Sequence, residues 1–178
     1  MKSTILRFFL WAWAAVFAFL PFGPTDRARA AELKVGDTFP DLAGFGLEGE
    51  LPATLKGRIV VVDFWASWCE PCRRTFPLME ELHHRFSKQG LLILAVNEDK
   101  SRAAMDAFLT QSPVTFRVVR DAKKRLAAEV HVPALPTSYI LDGQGKVLAL
   151  RSGESIVRDR RKFVKEIEDL LGKESKKP

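Results

Sequence analysis

The 178-residue chain holds only two cysteines, so neither can enter a larger structural disulfide framework. A zinc site made of cysteine alone is excluded as well, because tetrahedral zinc normally takes four nitrogen or sulfur ligands. Histidine is scarce: His83, His84 and His131 are the whole complement. The apolar run Phe8–Leu20 covers 13 residues, which rise about 20 Å as a helix, short of the ~20 residues that a membrane span needs. Aromatic residues are not interleaved with the basic cluster Arg158, Arg160, Arg161 and Lys162, or with Lys173, Lys176 and Lys177. Single-strand binders stack bases between such charges. Nucleic acid is therefore a poor partner, and these cations read as a solvated helix face and a frayed end. Repeats and low-complexity segments are absent.

The first 30 residues read as a targeting segment. Lys2 and Arg7 precede the apolar run, and Ala28-Arg29-Ala30 fits the small-x-small rule for signal peptidase. The alternative is an uncleaved anchor. On either reading the body of the protein, residues 31–178, is exported. These 148 residues suit one domain with an adequate core, and they keep a net charge of +3 of the full chain's +6.

Along that body, Ile59–Trp65 is β-branched and almost wholly apolar, as a strand buried on both faces should be. Phe76, Met79, Leu82 and Phe86 recur at helical spacing over residues 73–87, and Leu91–Val96 is a second buried strand. Two such strands joined by a helix form a parallel βαβ unit. A short helix is expected over 103–111, a strand over 115–119, and a helix capped by Asp121 running to Val130. Asp142-Gly143-Gln144-Gly145 between Thr137–Leu141 and Lys146–Leu150 is a hairpin signature. Phe163, Val164, Ile167, Leu170 and Leu171 mark a closing amphipathic helix. The Gly- and Pro-rich stretch 36–55 reads as a small β-hairpin added to the sheet edge. The fold class is α/β, a mixed central sheet flanked by helices.

Both cysteines fall in one motif, Trp68-Cys69-Glu70-Pro71-Cys72. Two thiols two residues apart are either a redox couple or half of a mixed-ligand metal site. His83 and His84 lie 14 and 15 residues beyond Cys69 on one helix, roughly 21 Å away at 1.5 Å per residue, and cannot complete such a site. His131 reads as a loop-surface residue.

The run Val62-Asp63-Phe64-Trp65-Ala66-Ser67-Trp68-Cys69-Glu70-Pro71-Cys72, followed downstream by Leu135-Pro136-Thr137, resembles the thioredoxin superfamily. The lead-in Gly36-Asp37-Thr38-Phe39-Pro40-Asp41, the Cys-Glu-Pro-Cys form, and Val132-Pro133-Ala134-Leu135-Pro136-Thr137-Ser138 point to its exported TlpA/ResA-like branch. The resemblance spans residues 33–171 and implies a thioredoxin fold. A peroxiredoxin usually carries threonine three residues before its nucleophilic cysteine, and here that position is Ala66.

Thiol–disulfide exchange needs an attacking thiolate and a resolving thiol. Cys69, where strand hands over to helix, faces unpaired backbone N–H groups that favour its thiolate. Cys72 is one turn deeper, placed to resolve. Pro71 sits in the first helical turn, where a missing N–H costs nothing. Glu70 opposes further negative charge at Cys69 and should limit the fall of its pKa. Asp63 is costly in an apolar strand unless neutral or bonded. Thioredoxins have aspartate there, moving a proton to or from the buried thiol, whereas TlpA/ResA-like chains more often have asparagine. The resemblance further implies that Pro136 is the cis-proline beside the disulfide, and that Trp68, Leu135 and Thr137 meet the substrate, the Leu135 backbone pairing with an extended segment.

The expectation is a periplasmic reductant of client disulfides that needs no cofactor beyond Cys69–Cys72. Apocytochrome c is a candidate client, and a membrane thiol donor would recharge the pair. A general oxidant or isomerase, a Cu(I)-handling dithiol and a non-catalytic client-binding module are the rival readings.

Overall fold

The computed structural model describes residues 32–152 and 155–176; the expected signal segment lies outside them. The apolar run Ile59–Trp65 forms β1, buried along its whole length, and Leu91–Asn97 forms β2, equally buried. Between them α1 spans Glu70–Phe86. β2 leads through α2 (Arg102–Gln111) to β3 (Arg117–Arg120), and α3 (Arg125–Glu129) leads to β4 (Thr137–Leu141). The Asp142–Gly145 turn returns the chain as β5 (Val147–Ser152). Gly145 at the turn has a φ of 79°, a conformation that a side chain disfavours. α4 (Ser155–Arg158) and α5 (Arg160–Glu174) close the chain.

The sheet order is β3-β2-β1-β4-β5. β1 pairs in parallel with β2, and β2 with β3, while β4 runs antiparallel to β1 and to β5. Alternation along β1 divides the core. Ile59, Val61 and Trp65 join Phe76, Met79, Leu82, Phe108, Phe163 and Ile167 beneath α1, α2 and α5. Val60, Val62 and Phe64 join Phe39, Leu42, Leu126 and Val130 on the other face. Among the described residues no helix is long and apolar enough to cross a membrane. The basic cluster lies on the exposed side of α4 and α5, with Arg160 on Glu81 and Arg158 on Asp159.

Two expectations change. Residues 36–55 form no hairpin, because their backbone partners are the two opposite edges of the sheet. Thr38 bridges Lys146, with Gly36 N donating to Val147 O and Val147 N to Asp37 O. Glu48 bridges Arg120 at the far edge, with both N–H···O bonds formed. Between these ends a short 3-10 helix, Leu42–Phe45, presses Leu42 into the core. The segment is a strap over one face. Asp121, in turn, is not the N-cap of α3: Lys124 is, at a φ of 52°. A turn of three residues separates Asp121 from the helix, yet its carboxylate still accepts the N–H groups of Arg125 (3.0 Å), Leu126 (2.8 Å) and Ala127 (3.0 Å). It satisfies the free donors of the first turn from outside the helix.

Candidate active site

β1 delivers the site. Trp65 ends the strand buried between Phe76 (centroids 4.4 Å) and Phe108 (5.0 Å). The chain then turns through Ala66–Trp68, with Cys69 N donating to Ala66 O. Asp99 holds that turn by accepting Ser67 N (3.0 Å) and Ser67 Oγ (3.0 Å), and Asn97 Nδ2 (2.8 Å) keeps Asp99 in place.

Cys69 is the N-cap of α1, and Pro71 lies within its first turn. Cys69 and Cys72 are joined in a disulfide. Cys69 keeps 4% of its surface and Cys72 none. The Cys72 N–H donates to Cys69 Sγ at 3.3 Å. A thiolate at Cys69 would receive that donor and the positive end of the helix together. Trp68 beside it is 69% exposed. Glu70 opens the helix as an exposed side chain, 3.8 Å from Arg73 Nε, and the Arg73 guanidinium lies over Phe108.

The Leu135–Pro136 peptide bond is cis. Phe64 pairs with Thr137, so this bond lies one residue past the ladder, beside the turn into Cys69. Leu135 is half-buried and packs against both core clusters. Thr137 is fully buried and its hydroxyl donates to Ala134 O at 2.7 Å. Its side chain therefore closes the proline loop and has no surface to offer a substrate, unlike those of Trp68 and Leu135.

Asp63 shares the face of β1 that carries Trp65 and is 1% exposed. Oδ1 accepts the Ser138 hydroxyl at 2.5 Å from the paired position on β4, while Oδ2 has no partner among the described residues. Burial pushes its pKa up to about 7, against the smaller lowering effect of Ser138.

The histidines stand apart. His84 Nε2 lies 2.9 Å from Glu80 near the C-terminal end of α1, and His131 is exposed after α3 with Nδ1 at Glu129 O. What the sequence reading passed over is Glu98. It follows β2, its N–H donates to Trp65 O at 2.8 Å, and it is buried beside the turn into the cysteines. The signal was there: Glu98 and Asp99 directly follow a parallel strand at its C-terminal end, where α/β folds gather their sites.

Comparison with known proteins fits this geometry. Residues 35–150 match the AhpC/TSA family. The thiol-disulfide oxidoreductase ResA of Bacillus subtilis is 36% identical over 114 residues, covering 62% of this chain and 64% of that protein. ResA of Geobacillus thermodenitrificans is 33% identical over 135 residues, covering 75% and 78%. A crystal structure of a Chlorobium tepidum protein assigned as thiol:disulfide interchange protein DsbE superposes with a TM-score of 0.71 at 34% identity, covering 78% of this chain and 99% of the other. With its two cysteines closed at the head of α1 and a cis-proline alongside, the chain belongs to the AhpC/TSA family of the thioredoxin superfamily, as a ResA-like thiol-disulfide oxidoreductase.

Proposed function

We propose that the chain is an exported, periplasmic reductant of disulfides in client proteins. The observation that supports this most is the placing of the Cys69 sulfur at a helix N-cap, under the Cys72 N–H and beside the cis Leu135–Pro136 loop. The electron pair is carried by the two sulfurs alone.

In the reduced protein the Cys69 thiolate attacks one sulfur of the client disulfide. The client's other sulfur leaves as a thiolate and takes a proton from solvent. Cys72 then gives its proton to ionised Asp63 and attacks the Cys69 sulfur of the mixed disulfide. The client's second sulfur leaves as a thiolate. Two electrons have passed to the client, and the chain is left as the Cys69–Cys72 disulfide. Protonated Asp63 returns its proton to Cys72 when a donor reopens the ring. That donor is a membrane dithiol, which becomes a disulfide in exchange. Apocytochrome c before haem attachment is the client that the resemblance suggests.

Cys72→Ser tests the roles. It should trap mixed disulfides with envelope proteins through Cys69, while Cys69→Ser should trap essentially none. Faster alkylation of Cys72 than of Cys69 at limiting iodoacetamide would reverse the assignment. A reduction potential near −250 mV or below fits a reductant, and one near −120 mV an oxidant. Export predicts Ala31 as the N-terminus of protein taken from the native envelope, and an intact Met1 chain in the membrane fraction would establish the anchored form instead.

A further inference from the structure

A groove of about 360 Å³ opens beside the cysteines, walled by Trp68, Ala128, Val132 and Leu135, with Glu98 and Lys124 as its charged lining. We propose that this groove receives a lysine or arginine of the client, next to its reacting cysteine, and that Glu98 is the residue that reads it. The inference rests on the reading above, in which a client strand lies along the proline loop.

Glu98 is only 4% exposed, and its Oε1 has no hydrogen-bond partner among the described residues. Leaving a buried acceptor unmet is unfavourable, so this carboxylate gains from turning toward a donor that enters the groove it lines. The neighbouring carboxylates are already engaged. Asp99 takes the Ser67 backbone and hydroxyl and the Asn97 amide, and Asp121 takes three N–H groups of α3. Their charge still adds to the field at Glu98. Against it stands Lys124, whose Nζ is 3.8 Å from Oε2 on a half-exposed side chain. Arg120 is spent on Glu48 and on the carbonyls of Asp99 and Lys100. Burial and Asp121 together hold the Glu98 carboxyl up to about 7, so an arriving cation can draw out its full charge near neutral pH.

The wall chemistry fits the same visitor. Ala128, Val132 and Leu135 suit the methylene stem of a long cationic side chain. Trp68 presents an exposed indole on which a guanidinium can lie. Arginine should be favoured over lysine, since its planar fork can meet a carboxylate and an indole face together.

Three synthetic peptides test the proposal, each closed by one disulfide and differing in a single residue beside the attacked cysteine: arginine, glutamine or glutamate. Their reduction rates with the dithiol form of the protein are divided by their rates with dithiothreitol, which removes the peptide's own thiol chemistry. The arginine peptide should be about tenfold faster than the glutamine peptide, and the glutamate peptide slowest. In Glu98→Gln the arginine-to-glutamine ratio should fall toward one. Equal normalised rates in the wild type, a measurement that requires no variant, would overturn the inference while leaving the oxidoreductase reading in place. A preference that persists in folded Glu98→Gln would assign the cation to another group and overturn it too. Failure to reduce any of the three peptides would remove the reductant reading and this one with it.

Discussion

Asp63 is the one ionisable side chain in β1, and its raised pKa gives stability a pH slope of definite sign. An unfolded aspartate titrates near 4, and Asp63 in the fold near 7. Between these values the native state holds a proton that the unfolded chain has lost. Stability therefore falls as pH rises through that window, by about 1.4 kcal/mol per pH unit for each such proton. Glu98 has a pKa raised to about 7 by burial first and then by Asp121, and it adds a second proton in the same direction. Asp63→Asn should keep the fold, flatten part of this decline, and slow thiol exchange at pH 7. Denaturation midpoints and stopped-flow rates from pH 4 to 9 measure both effects. Wild-type rates together with lower stability would reduce Asp63 to a hydrogen-bonding partner of Ser138. Glu70 is exposed, so any influence it has on Cys69 would be exerted by its charge from the surface. Glu70→Gln should stabilise the Cys69 thiolate, hence the reduced form, and shift the potential upward by a few tens of millivolts, since about 30 mV corresponds to one pKa unit for a two-electron couple. Its exposure and the neighbouring Arg73 keep the shift at that scale. A glutathione titration that shows no shift, or a downward one, would leave Glu70 as a helix-start residue.

At the scale of elements, α3 has five residues and a backbone start at Lys124 in a left-handed conformation, so it owes its first turn to Asp121. Asp121→Ala should cost about 1–2 kcal/mol, the upper part of the range for lost helix caps, and loosen the groove wall at Ala127 and Ala128. Urea denaturation and amide exchange of Leu126 would show it, and unchanged exchange there would mean that core packing of Leu126 alone holds the helix. This helix also marks where the sequence stopped being readable. β1, β2 and α1 were legible because their apolar spacing is a local property, and the β4–β5 turn because Gly and Asp announce it. Asp121 was recognised as a capping residue, but the helix start after its three-residue turn is held by partners distant in sequence: Asp121 N donates to Asn97 O of β2, and the Arg125 guanidinium donates to Phe45 O of the strap. The strap itself was misread as a hairpin, since Thr38 and Glu48 find their partners at Lys146 and Arg120, far along the chain. Cys69, Cys72 and the cis bond at Pro136 were legible through the motif and the resemblance. Glu98 was legible only as a carboxylate at the end of a parallel strand, because nothing in its neighbourhood of sequence says that Trp68, Ala128 and Leu135 converge on it.

At the scale of the molecule, Arg120 fastens the far end of the strap. It holds Glu48 at 2.8 Å and also donates to the carbonyls of Asp99 and Lys100, tying the strap to the loop that steadies the active-site turn. Gly49, next to this anchor, has a φ of 130°, and a Cβ there would meet Val118 O at 2.9 Å. Gly49→Ala should lift this end of the strap, with a stability loss of about 1–3 kcal/mol from backbone strain, and raise light scattering on gentle heating well before exchange activity is lost. Unchanged scattering and midpoint would mean that the strap tolerates the shift. The reason for scattering lies in where the strap ends. β3 and β5 are the outermost strands of the sheet, and each would otherwise present an open row of N–H and C=O groups to any other chain. Having Thr38 seated at one border and Glu48 at the other leaves a passing unfolded polypeptide less ladder on which to template. A thiol-disulfide oxidoreductase whose strap is seated on both sheet borders thus has, among its described residues, a guard against being drawn into the aggregates of other chains.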